Sequence, residues 1–233
     1  MFVVHKRYIV AVSVILAMLI CGCLLLSALT SSPASAGGMT IVLDAGHGGI
    51  DGGVTGINTG VKESDINLEI VRLLEERLTI AGFRVVLTRK SEGGLYMPTD
   101  KNKKKSDMLK RKQIIQKAKP VAVISVHQNK YPLSYRRGGQ AFFNEENEQG
   151  KLLAKSIQNE FNVLSEKSYS SLKGNYYLLN CTEYPSVIAE CGFLSNPEDE
   201  VLLTSKEYQK KVAYALYKGI VSYIAQCVFF EER

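Results

Sequence analysis

The chain has 233 residues, of which 45% are hydrophobic and 22% charged, with a formal net charge of +6; this is enough length and apolar content for one domain with a proper core. Its cysteines fall at Cys21, Cys23, Cys181, Cys191 and Cys227, a spacing that excludes a disulfide framework and a cysteine-rich zinc site. The modest positive charge suits ordinary solubility or work beside an anionic polymer or membrane surface, and calls for no nucleic-acid partner.

At the start, Lys6 and Arg7 flank an almost wholly apolar run from Tyr8 to Leu29, and Ala34-Ser35-Ala36 has the small-x-small pattern of a signal peptidase site. The run is longer than the roughly 7–15 residues of a signal core and near the roughly 20 that span a bilayer. Residues 1–36 are therefore expected to be a cleaved signal peptide or a retained membrane anchor. Either reading puts residues 37–233 outside the cytoplasm, because the basic flank stays inside. Gly22-Cys23 faintly resembles a lipid-attachment site, but Leu24-Leu25-Leu26 carries the apolar run past it.

From residue 37, strand and helix patterns alternate. Ile41-Val42-Leu43 predicts a buried strand feeding a glycine-rich loop from Gly46 through Gly60. From Ser64, apolar residues recur at Ile66, Ile70, Leu74 and Leu78 with a helical period, which Gly82 ends. Arg84 to Thr88 is a second strand. Residues Lys90 to Lys105 are polar and read as an exposed loop, with Lys103-Lys104-Lys105 solvated. Met108 to Lys119 predicts a basic amphipathic helix, and the apolar stretch Val121 to Val126 a central strand that delivers His127. Gln140 to Phe143 is a strand and Gln149 to Val163 a helix. Asn175 to Asn180 and Ser186 to Ala189 are expected as two short strands, with Glu190 at the end of the second. Asn196-Pro197-Glu198-Asp199 punctuates the chain before a last helix from Lys206 to Ala225. The alternation predicts a single α/β domain over 37–233, with a mostly parallel central sheet of about six strands and helices on both faces. No internal repeat and no second, wall-binding module is legible.

Of the three histidines, His5 lies in the leader, which leaves His47 and His127 for the folded part. Two imidazoles and one carboxylate are a common ligand set for catalytic zinc, with a further position left for water, and a second carboxylate can act as base on that water. His47, Glu63 and His127 fit the ligand roles and Glu190 the base. Parallel strands bring their carboxyl ends to one edge, where such groups gather. Taken singly, each has a plainer reading: a histidine after a strand is more often structural, and a glutamate at a helix start complements the dipole. Asp44 can accept a bond from a ligating imidazole or form the turn before Gly46. Asn129 can bond substrate or cap a loop. Cys191 can serve as a nucleophile, but reads better as a small buried residue.

The strings that hold these residues extend well beyond them. They include Leu43 to Gly49, Glu63 before Asn67-Leu68, Gly82 to Arg89, Arg111 at a helix start, Ser125-Val126-His127-Gln128-Asn129 and Glu190-Cys191-Gly192-Phe193-Leu194-Ser195-Asn196-Pro197-Glu198. From about Ile41 to Ile224 the chain resembles the zinc-dependent N-acetylmuramoyl-L-alanine amidases of bacterial cell walls, the type-3 amidases. The resemblance implies Zn2+ on His47, Glu63 and His127, catalysis by Glu190, and peptidoglycan as substrate. The short connection Tyr131 to Gly139 leaves no room for the helix that plugs the metal site in some relatives. A bare domain behind one apolar leader looks like the germination-specific branch of the family. That branch implies a site of action between the membranes of the developing spore, removal of the stem peptide from cortex muramic acid ahead of muramic-δ-lactam formation, and a possible accessory spore lipoprotein. The competing readings are a non-catalytic peptidoglycan-binding module of the same fold and a zinc carboxypeptidase acting on stem peptides.

Overall fold

The computed structural model describes residues 38–231; the leader expected over 1–36, and the membrane association it implies, lie outside the described residues. Within them no helix is long and apolar enough to cross a membrane. The elements run β1 (Thr40–Ala45), α1 (Glu63–Ile80), β2 (Arg84–Leu87), α2 (Lys103–Ala118), β3 (Ala122–Asn129), β4 (Gln140–Phe143), α3 (Glu148–Ser165), β5 (Leu172–Lys173), α4 (Tyr177–Asn180), β6 (Ser186–Phe193), α5 (Pro197–Thr204) and α6 (Lys206–Glu231). Six strands form one sheet in the order β2-β1-β3-β6-β4-β5. β2, β1, β3 and β6 pair in parallel, and β4 pairs antiparallel to β6. This is the expected α/β architecture.

The central strands β1, β3 and β6 are buried on both faces, which is why they read as continuous apolar runs. Val42, Val123 and Ile188 share one face with Ile115 of α2 and Leu178 and Leu179 of α4. Their neighbours Ile41, Leu43, Ile124 and Val187 are equally buried and point the other way, where α1 and α3 pack on the strands and α6 lies against both helices. Each fully buried Leu or Ile contributes about 1.5–3 kcal/mol relative to exposure, so the layers hold with no disulfide among the described residues.

Four expectations need correction. Helix α2 begins at Lys103, not Met108, because the Asn102 side chain accepts the Lys105 N–H at 3.0 Å and caps a turn earlier. The lysine run is thus the first turn of a helix. Residues Asn175 to Asn180 do not form a strand; Tyr177–Asn180 is a single helical turn. Adjacent Leu178 and Leu179 both join one core cluster, which the side-to-side alternation of a strand forbids. Asn196 caps the helix α5 through the Asp199 N–H at 2.9 Å, with Pro197 in its first turn. Finally, β3 and β6 run further than predicted, so His127 and Glu190 lie inside strands rather than at their ends.

Candidate active site

Parallel pairing sets the site. Asp44 of β1 faces Ser125 of β3, and His127 of β3 faces Glu190 of β6. The carboxyl ends of these strands therefore bring the loop after β1 beside His127. The chain turns sharply there: His47 has φ +61°, a left-handed conformation that costs a non-glycine residue about 1–2 kcal/mol. Gly46 lets this loop pass over the His127 ring, since a Cβ there would collide with the imidazole.

Glu63, the first residue of α1, lies between the histidines. His47 Nε2 is 3.2 Å and His127 Nδ1 2.9 Å from its Oε1, and the two rings meet edge to face at 4.9 Å. One donor atom from each of the three residues falls within 4.8 Å of the others. The carboxylate is held from behind: Gln128 N–H donates to Oε1 at 3.0 Å and Val54 N–H to Oε2 at 2.8 Å. Asn67 donates to Gly46 O at 3.1 Å and accepts from Gln128 at 3.0 Å, fixing both neighbours. Burial would raise the Glu63 carboxyl, but the two imidazoles hold it well below the ordinary range. Burial likewise opposes charge on His47, yet bonds to Glu63 and Asp51 raise it to about 9.

Glu190 is 8% exposed. Burial, reinforced by the charge of Glu63 and opposed by the histidines, pushes its carboxyl up to about 7. Its Oε2 is buried without a hydrogen-bond partner among the described residues, an arrangement that is costly unless the oxygen has work to do. A cleft of about 390 Å³ opens beside both histidines, walled by Ile50, Tyr96, Tyr176 and Tyr177. Two neutralisable imidazoles and a carboxylate, converging beside a partnerless acid, have the chemistry of a divalent-cation site with a base attached.

Other residues take different places from those the sequence suggests. Asp44 bonds no imidazole and does not merely turn the chain; it accepts from Thr88 at 2.6 Å, Arg111 at 2.5 Å and Ser125 at 2.5 Å. The carboxylate behind an imidazole is Asp51, 3.0 Å from His47 Nδ1, which sequence reasoning missed although it sits four residues on, in the same loop. Asn129 accepts the Lys130 N–H at 2.8 Å and so shapes the loop. Cys191 is 1% exposed and burial pushes its thiol far up, which suits a core residue and no nucleophile.

Residues 41–222 match the family model Amidase_3, described as N-acetylmuramoyl-L-alanine amidase. The chain is 34% identical over 195 residues to the germination-specific N-acetylmuramoyl-L-alanine amidase of Bacillus subtilis, covering 81% of each. Among solved structures it is similar to the CwlD amidase of Clostridioides difficile, solved in complex with the GerS lipoprotein. The identity is 37% and the TM-score 0.77, over 80% of this chain and 98% of that one. The amidase AmiC2 of Nostoc punctiforme superposes with TM-score 0.70 at 27% identity, over 80% of this chain and 97% of that one.

Proposed function

The chain belongs to the N-acetylmuramoyl-L-alanine amidase family, enzymes that act on peptidoglycan, and from that premise we propose a zinc-dependent hydrolase with His47, Glu63 and His127 as metal ligands and Glu190 as general base and acid. The observation that carries this reading is the convergence of the three donor groups beside the partnerless Glu190 Oε2.

The bond to be cut joins the lactyl carbonyl of N-acetylmuramic acid to the nitrogen of L-alanine. Zinc held by His47, Glu63 and His127 would supply Lewis acidity to the carbonyl and to the attacking water. Gln128, Val54 and Asn67 keep the Glu63 carboxylate turned toward the histidines, and Asp51 fixes the His47 ring. The Glu190 carboxylate takes a proton from the attacking water and returns it to the departing nitrogen. Water is thus added across the C–N bond, leaving a lactyl carboxylic acid and a free L-alanine amine. Tyr96, Tyr176 and Tyr177 line the cleft beside the histidines.

Similarity to the germination-specific amidase and to CwlD supports a finer assignment: action on spore cortex, as the step before muramic-δ-lactam formation, in the space between the spore membranes. The apolar segment before residue 37 would deliver the domain there, by cleavage or as an anchor. The CwlD structure holds a lipoprotein, and an accessory lipoprotein is proposed for this chain on that likeness.

Purified protein loaded with zinc is expected to release whole stem peptides from peptidoglycan, and a chelator to stop it. Loss of a single residue from the stem would instead indicate a carboxypeptidase, and binding without products a non-catalytic module. Glu190→Gln should keep its zinc and lose turnover by about 10²–10⁴-fold; full activity in that variant removes Glu190 from the mechanism.

A further inference from the structure

The glycine-rich loop after His47 is a hairpin whose root is Glu63. Glu63 N–H donates to Val54 O at 2.8 Å, and Val54 N–H donates back to the Glu63 carboxylate at 2.8 Å. Above the root, Thr55 and Lys62 form an antiparallel bridge, and Gly56 N–H donates to Val61 O at 2.9 Å. The tip, Asn58 and Thr59, is exposed and belongs to no regular strand.

That tip is not loose. It closes on Glu200 of α5, a carboxylate with 0% exposure. Asn58 N–H donates to it at 3.0 Å, Asn58 Nδ2 at 2.7 Å, Thr59 N–H at 2.8 Å and Thr59 Oγ1 at 2.8 Å. Gly56 passes so close that a Cβ would collide with Glu200 Oε1. No cation bonds to Glu200 among the described residues, so the hairpin tip is what satisfies its charge. Helix α5 is itself tied to the strand that carries Glu190: Asp199, the neighbour of Glu200, accepts the N–H of Phe193 at 2.9 Å. Asp199 also accepts the Gly138 N–H at 2.8 Å.

We propose that Glu200 is a positioning residue: by clasping the hairpin tip to α5 and β6, it fixes the Glu63 carboxylate toward the two histidines and sets its place relative to Glu190. The inference rests on the reading of His47, Glu63 and His127 as a zinc site. Bonds behind a ligand typically alter metal affinity by about 10–100-fold when lost. A buried carboxylate that clasps a ligand-bearing hairpin belongs among such supports, although it lies outside the site.

The test uses Glu200→Gln in the full chain, which keeps the size of the side chain but sets an amide NH2 against N–H donors. Zinc affinity is read by competition with a chromogenic chelator, and hydrogen exchange is followed across residues 54–63. The expected result is affinity weaker by about tenfold or more, with faster exchange at Val54 and Glu63. The double variant Asn58→Ala with Thr59→Ala, made at exposed positions, removes both side-chain donors and leaves the backbone ones; it should weaken zinc in the same direction and keeps the test valid if Glu200→Gln does not fold. Zinc affinity within twofold of the parent overturns the inference, even where exchange rises, because the clasp would then be structural only. Glu63→Gln is the control. If that variant binds zinc as the parent does, the zinc reading itself fails and takes the inference with it; if it loses zinc while the clasp variants do not, the inference alone fails.

Discussion

Arg111 reaches the site through backbone rather than substrate. It is 2% exposed, and it donates to His47 O at 2.6 Å and Ala45 O at 2.8 Å, holding the loop in the left-handed turn at His47. Asp44 and Asp107, each at 2.5 Å, balance its charge. Removing it leaves two buried carboxylates without their bonded cation, so Arg111→Met should lower stability by about 3–5 kcal/mol, read from urea midpoints; a loss below about 1 kcal/mol would show that water or other groups satisfy Asp44. The same network makes a pH prediction. Burial would raise Asp44, but the Arg111 charge and bonds from Ser125 and Thr88 lower it to about 2. A folded value below the unfolded value of about 3.9 means the contribution, about 2–3 kcal/mol, is present in full above about pH 5 and is lost as pH falls through 2. Asp44→Asn should be less stable than the parent at pH 5, and the gap should close by pH 2; an unchanged gap contradicts the assignment. None of this was legible in the sequence around Asp44, because its partner Arg111 lies 67 residues away and side-chain pairing leaves no periodic trace.

At the scale of elements, long patterns were legible and short ones were not. The apolar periods of α1, α3 and α6 and the unbroken runs of β1 and β3 are dictated by burial that repeats along the element. The turn at Tyr177–Asn180 is too short to show a period, and Leu178-Leu179 reads equally well as strand until the core cluster that takes both is seen. β5, with two residues, has no pattern at all. The contact between α3 and α6 offers a test in which two effects oppose. Gly219 lies against α3, and a Cβ there would fall 2.7 Å from Ile157 Cα and 3.1 Å from Ile157 N. Alanine improves helix propensity by about 1 kcal/mol, while overpacking costs about 1–3 kcal/mol. The clash is with backbone, which no rotamer change relieves, so Gly219→Ala should lower the melting temperature. A rise would mean that α3 and α6 move apart to admit the methyl group at little cost.

For the whole molecule, the topology does what no single segment can. His47, Glu63 and His127 come from the loop after β1, the start of α1 and the body of β3, and Glu190 comes from β6. They meet only because β1, β3 and β6 are parallel neighbours, so their carboxyl ends share one edge. The placing of these residues at strand ends and a helix start was readable from the strand-helix alternation, while the strand order that makes β1, β3 and β6 neighbours, and the supports Asp51 and Glu200, were not, since each depends on how distant segments fold back. On the proposed zinc reading, this gathering has a consequence for stability. An ion held by three separate segments binds the folded chain and hardly the unfolded one, so it stabilises by about 2.7 kcal/mol at a hundredfold excess over its dissociation constant. For a domain of this size that is a rise of about 5–10 °C in melting temperature. Calorimetry with and without zinc should show it in the parent and in Glu190→Gln, whose acid is not a ligand, but not in Glu63→Gln. If Glu63→Gln gains as much as the parent, zinc is held elsewhere and the three segments are joined by the sheet alone.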